Sequence, residues 1–406
     1  MHRDEHASLA YPGIRRTLPL SVHLIWCRAS VPWSCYFLPV QWKRHAMVGA
    51  SRSSCAVAAT TCRSELAKQE RAVSRIMNIA IEYGVPTDRC GLQLRLGIDK
   101  GFFRDEGIDL ALRIVFGGPE IAAEFDSGRL KIGELGTPPG LAALAKGARF
   151  KIVGSSVRRG AVQYFVVHPR FSDWQDLLGS NLGALSRGSC SDWYMREVLA
   201  HHAIDPDNDV TIIGLGRRYP QILRLLADGE LDGAIISEPH VTIGEQAGLF
   251  NVWLGLNSLD FVPRMQWSIV VANDDVLAQE PNLVGAVLRG CRRSYRYAAQ
   301  NRAEWAEFGA QYFGIEHDTM TKSIDREFED LHFDCEIDLE GMGAAIALQQ
   351  KLGAMTLPIR LTDIVDARFS PGVFSDRTDA PKDPASAQAS GQEQATENAK
   401  VSWRGF

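Results

Sequence analysis

The sequence has no basic excess. Its 44 lysines and arginines face 49 aspartates and glutamates, a net charge of −5. That argues against a nucleic-acid protein, whose binding face usually carries surplus positive charge. Its 8 cysteines include no Cys-x-x-Cys pair, so neither a zinc ribbon nor a thioredoxin-type centre is indicated. Cys90, Cys190, Cys291 and Cys335 are scattered too widely for a disulfide framework in a body of this size. There is no Gly-x-Gly-x-x-Gly fingerprint, Walker loop, His-Glu-x-x-His or nucleophile elbow. No cofactor and no metal are therefore expected. The body also lacks an apolar run long enough to span a bilayer, so no transmembrane segment is expected there.

What charge there is lies unevenly. Residues 1–76 hold 11 basic and 4 acidic side chains, the remainder 33 and 45. Such asymmetry sets the N-terminal segment apart. "LPLSVHLIW" (Leu18 to Trp26), after Arg15-Arg16, faintly resembles a signal-peptide core. His23 interrupts it, however, Arg28 follows at once, and no small-residue cleavage site stands out. Three readings of 1–76 stay open: a start placed too early, with Met47 or Met77 the true one, a targeting segment, or a structural extension. Periplasmic and cytoplasmic locations both stay open with them. At the other end, Ser375 to Lys400 contains no large apolar residue and reads as a disordered tail over 375–406. The folded body is then 77–374.

From Met77 the body alternates short apolar runs with helical segments, which predicts an α/β fold built on mostly parallel sheets. The first set is "MNIAIEYG", "IDLALRIVF", "LKIGELG" and "FKIVGSS" as strands, with helices between them. The second is "SNLGALS", "DVTIIGL" and "LDGAIIS". A repeat links the two. "EFDSGRLKIGELGTPP" (Glu124 to Pro139) runs in step with "LLADGELDGAIISEPH" (Leu225 to His240): Gly128 meets Gly229, Leu130 meets Leu231, and Pro138 meets Pro239. Each copy stops a helix on glycine, enters a strand and leaves it through a proline-bearing loop. Two similar lobes are expected, with a ligand cleft beyond the carboxyl ends of their strands.

These residues resemble a known family. Lys100-Gly101-Phe102-Phe103 with Glu106-Gly107-Ile108, then Gly117-Gly118-Pro119, Asp126-x-Gly128, Gly136-Thr137-Pro138 and the later "DGELDGAIISEP" look like the NMT1/THI5-like group. That group comprises solute-binding proteins of ABC importers for sulfonates, nitrate, bicarbonate and thiamine precursors. The resemblance covers 77–255 best. It implies the periplasmic-binding-protein type II fold, with lobe 1 over 77–165, lobe 2 over 166–264, and a return to lobe 1 with C-terminal packing helices over 265–374. It also implies hinge closure around a ligand and an ABC permease as partner. No helix-turn-helix segment precedes the lobes.

The loops expected at the cleft carry Arg158, Arg159, Arg187, Arg217 and Arg218. A guanidinium can grip a carboxylate, sulfonate or phosphate with two parallel hydrogen bonds, so a small anionic organic ligand is expected. "SRGSCSDW" runs into a helix, where Ser189 or Ser191 would serve as N-cap, as anion contact, or as both. Thr87, Cys90, Gly117, Gly118, Gly136, Thr137 and Glu238 complete the candidate ligand set. Trp193, Tyr194, Tyr219 and Trp267 could wall an organic group or belong to the core.

An enzyme is the alternative. A desulfinase on this fold uses a cysteine in the first-strand loop, helped by a histidine and an arginine from neighbouring loops. Cys90 in "YGVPTDRCG" lies in the corresponding loop beside Arg89. The second loop, Gly117-Gly118-Pro119-Glu120, has no histidine, and "LKIGELG" offers no arginine where one is wanted. The cysteine cluster of the thiamine-precursor synthases is absent. No catalytic residue is assigned, with Cys90 the one to watch.

Overall fold

The computed structural model describes residues 78–156, 162–258, 260–261, 264–351, 353, 355 and 359–370, all within the compact unit Leu66–Phe406. The segment 1–76, Arg158 with Arg159, and the tail 375–406 lie outside the described residues.

Two five-stranded mixed sheets carry the fold. The first is built from β1 (Ile79–Val85), β2 (Ile108–Ile114), β3 (Ile132–Gly136) and β4 (Phe150–Gly154). The intervening helices are α1 (Leu92–Asp99), α2 (Gly118–Asp126) and α3 (Thr137–Ala145). The chain then enters the second sheet through β5 (Tyr164–Val167) and continues with β6 (Asn181–Ala184), β7 (Thr211–Gly214), β8 (Gly233–Ile236) and β9 (Asn251–Gly255). Between these lie α4 (Cys190–His201), α5 (Ile222–Ala227) and α6 (His240–Gln246). It returns to the first sheet as β10 (Ser268–Asn273).

The strand orders correspond: β2-β1-β3-β10-β4 in one sheet and β7-β6-β8-β5-β9 in the other. In each, the antiparallel member is the strand that has just crossed from the other lobe, β10 between β3 and β4, and β5 between β8 and β9. The repeat read in the sequence is visible bond for bond. Leu130 N–H donates to Glu124 O at 3.1 Å, and Leu231 N–H donates to Leu225 O at 3.0 Å. Gly128 and Gly229, just past their helices, both take left-handed φ, 75° and 72°. That conformation costs glycine nothing and any other residue a steric penalty.

The rest of the chain returns to the first lobe as α7 (Asp274–Gln279), α8 (Pro281–Gln300), α9 (Arg302–Phe313), α10 (His317–Glu327), α11 (Leu339–Lys351) and α12 (Leu361–Ile364). Pro281 opens α8, where its missing N–H is no loss. Leu283, Val284, Val287, Leu288, Cys291 and Tyr295 recur at helical spacing and are buried. Arg289 and Arg293 point outward to Glu106 and Asp105. Helices α9 and α10 pack against each other and together reach α1 of the first lobe and α6 of the second. No helix among the described residues is long and apolar enough to cross a membrane.

Candidate functional site

A cavity of about 110 Å³ lies where the carboxyl ends of the strands in both sheets converge. From the first lobe it is lined by the loop after β1 (Thr87, Arg89, Cys90), by Glu134 and Gly136 on β3, and by Ser156 after β4. The second lobe contributes Ser189, Cys190 and Ser191 at the start of α4, Tyr219, and Glu238 after β8. Gln163, Trp267 and Ser268 come from the crossings. The lobes touch across it. A Cβ at Gly136 would overlap the Cys190 sulfur, and the Ser186 hydroxyl donates to Glu120 Oε2 at 3.2 Å.

The C-terminal helices close the remaining wall. Tyr295 of α8, Trp305 and Phe313 of α9, and Met320, Ser323 and Glu327 of α10 all line the cavity. Arg89 forms an ion pair with Glu327. Next to it in sequence, Arg326 turns the other way, to Glu238 at 3.1 Å and to Glu245. Glu238 also accepts from the Thr242 N–H at 3.1 Å and its hydroxyl at 2.9 Å. The Tyr295 hydroxyl donates to Glu134 Oε2 at 3.1 Å.

Burial decides the titration here. It pushes the Glu134 carboxyl above the ordinary glutamate range, against hydrogen bonds from Ser156, Tyr295 and Cys90 and the field of Arg89. Glu238 shifts the same way, burial again outweighing Thr242 and Arg326. A carboxyl that holds its proton more firmly when folded contributes stability that is complete below its unfolded value and is lost as pH rises through the folded one. The stabilising contribution of these two carboxyls should therefore fade as pH climbs above about 4.3, the unfolded glutamate value. Glu134→Gln should flatten that decline, read from urea midpoints across pH. An unchanged slope would remove Glu134 from the account.

The candidate residues fall in three places. Thr87, Cys90, Gly118, Gly136, Ser189, Ser191 and Glu238 line the cavity, with Tyr219 and Trp267 among its aromatic walls. Gly117 and Thr137 flank it, each beside a lining residue in the chain; Thr137 is fully buried, and its N–H donates to Trp267 O at 2.9 Å. Arg187 and Arg217 are exposed and do not line it; Arg187, 75% exposed, lies 3.7 Å from Asp207. Arg218 pairs with Glu230 at 2.6 Å, and Trp193 bonds Gly188 O, both outside the cavity. Arg158 lies outside the described residues. The serines at α4 are committed to their own loop: Ser189 Oγ donates to Ser186 O at 2.7 Å, and Ser191 Oγ accepts from Leu185 N–H at 2.8 Å. Sequence reasoning missed Glu134, Gln163, Trp305 and Glu327 as lining residues. Only Glu134, a lone charge in the apolar run "LKIGELG", carried a local signal, because such a residue in a buried strand must be serving a partner.

Two sheets of matching order, exchanging one strand each and holding a cavity between their strand ends, define the periplasmic-binding-protein type II class. The NMT1/THI5-like family model matches residues 93–304, just over half of the chain, and the chain belongs to that family. It is 24% identical over 240 residues to 4-amino-5-hydroxymethyl-2-methylpyrimidine phosphate synthase of Candida albicans (strain WO-1), covering 56% of this chain and 69% of that one. It is 27% identical over 150 residues to the taurine-binding periplasmic protein of Escherichia coli (strain K12), covering 37% of this chain and only 46% of that protein. Among solved structures, the alkanesulfonate-binding protein SsuA from Xanthomonas axonopodis pv. citri bound to MOPS matches with a TM-score of 0.59 at 16% identity. That match covers 71% of this chain and 98% of SsuA, and it is a likeness of fold.

Proposed function

We propose that this protein captures a small organic solute between its lobes and releases it unchanged, with an ABC permease as the partner that receives it. The observation that carries this reading is the cavity itself, which is walled by strand-end loops from both sheets. The sheets are joined through two crossings and by the C-terminal helices, so hinge opening would admit a ligand and closure would bury it. The taurine- and alkanesulfonate-binding functions named for two of the similar proteins support the reading.

Cys90 favours binding over chemistry. Its thiol is pushed up to about 12, mainly by burial, with Glu134 adding to the shift and Arg89 opposing it. The thiolate is the nucleophile in cysteine chemistry, and near neutral pH this group stays a thiol. The Thr87 hydroxyl lies 3.2 Å from its sulfur.

The test is thermal unfolding of the full chain with taurine, alkanesulfonates, nitrate and aminopyrimidines, followed by analysis of each compound. A true ligand at a hundred times its Kd adds about 2.7 kcal/mol, roughly 5 °C for a domain of this size. Recovery of that ligand intact is the expected result. Its conversion to product by the wild type but not by Cys90→Ser would replace the binding protein with an enzyme.

A further inference from the structure

We propose that the cavity is built for a compact organic cation carrying at least two N–H donors, of the amidinium type, and not for an anion. This inference rests on the solute-binding reading and narrows its ligand.

Charge gives the first argument. Among the described residues, three carboxyl groups line the cavity, Glu134, Glu238 and Glu327, against one guanidinium, Arg89. Arg89 is already paired with Glu327, and Arg326 stands behind Glu238, shared with Glu245. Glu134, 4% exposed, has no cation of its own among the described residues; the groups that donate to it are the Tyr295 and Ser156 hydroxyls and the Cys90 thiol. An anion entering there would hold Glu134 and Glu238 still further from ionisation, whereas a cation would favour their charged forms and pair with them.

Hydrogen-bonding capacity gives the second. Glu327 Oε1 is buried with no partner among the described residues, on a residue only 3% exposed that lines the cavity. Gln163 Oε1, also in the lining, is another such orphan acceptor. Among the described residues, the orphan donor in the lining is Trp305 Nε1. Buried polar atoms left unpaired are costly, so the natural guest brings N–H groups to the two acceptors. An ionised carboxylate cannot turn to become a donor, which fixes this demand at Glu327.

Among the described residues, the devices an anion would need are spent elsewhere. The hydroxyls of Ser189 and Ser191 serve backbone groups of their own loop. The first turn of α4 already carries a buried carboxylate, Asp192, which accepts from Gly188 N–H at 2.8 Å and pairs with Arg196 at 3.2 Å. The aromatic walls Tyr219, Trp267, Trp305 and Phe313 suit a flat cation, since their ring faces attract positive charge. A cavity near 110 Å³ is smaller than the roughly 150 Å³ that accepts benzene, so the guest is small.

Calorimetric titration of the full-length protein with two planar isosteres of opposite charge, acetamidinium and acetate, reads the proposal directly. Nitrate and methanesulfonate extend the anion arm. Acetamidinium is expected to bind and acetate not to. Glu134→Gln and Glu327→Gln should each weaken acetamidinium at least about tenfold, the loss of one charge-assisted hydrogen bond. The exposed Glu230→Gln should leave it unchanged. Circular dichroism checks that each variant is folded, and if one is not, the wild-type pair still decides. Tighter binding of any of the three anions than of acetamidinium would overturn the cation site while leaving a solute-binding protein in place. Binding of none of these probes would overturn it as well. Tight acetamidinium binding followed by its hydrolysis would support the charge assignment and overturn the transport reading instead.

Discussion

Replacing Gly133 with alanine is expected to cost the fold about 3 kcal/mol, the upper end for volume forced into a packed interior. Gly133 sits on β3 directly opposite Gly84 of β1. A Cβ there would lie 2.5 Å from Gly84 N and 2.8 Å from Gly84 Cα, with the Gly84 carbonyl oxygen closer still. These neighbours are backbone, so no side chain can swing away, and the sheet itself must part. The second lobe offers an internal control. The residue in register with Gly133 across the repeat is Ala234, which pairs with Gly183 and is fully buried. The β6–β8 ladder therefore already accommodates the methyl that the β1–β3 ladder excludes. Ala234→Gly should cost only about 1 kcal/mol, the entropic penalty of glycine in a strand. Urea denaturation of both variants checks the pair. Equal losses would mean that the tight β1–β3 approach has no energetic weight.

The contrast shows what a sequence can and cannot disclose here. The repeat was legible because a helix stopped by glycine is local backbone chemistry: Gly128 and Gly229 need the same φ whatever surrounds them. The two-lobed α/β plan follows from that repeat and from alternating apolar runs. The arginine expectation has a different standing. Arg187 and Arg217 follow strand ends, as cleft residues should, yet position in a loop does not fix which side of it a side chain leaves. Both are exposed and absent from the cavity lining. Trp305 and Glu327 were unreadable for the opposite reason. Their helices show ordinary packing periodicity, and only the tertiary course of the α9–α10 pair carries them to the cavity.

That course gives the last large effect. Arg326 and Glu327 end one helix and reach opposite lobes: Glu327 to Arg89 after β1, Arg326 to Glu238 and Glu245 beyond β8. Both partners of the first pair are well sheltered, the Glu327 side chain 4% exposed and that of Arg89 19%. Arg89→Met would leave Glu327 buried without its counter-charge, a loss of about 3 kcal/mol or more when one member of such a pair is removed. Taking both charges away in Arg89→Met/Glu327→Met should recover much of that loss, because the unpaired carboxylate, and not the missing attraction, dominates the cost. A double-mutant cycle by urea denaturation measures the coupling. Additive losses would show the two residues acting independently. Strong coupling would mean that α10 is held to the first lobe by charge at the cavity wall. Amide exchange in His317–Glu327 should then rise in Arg89→Met and return toward the wild-type rate in the double variant. In that case the wall of the ligand cavity and the tie between the lobes are one set of side chains, so a guest that redistributes charge at Glu327 would also change how firmly the cleft is held.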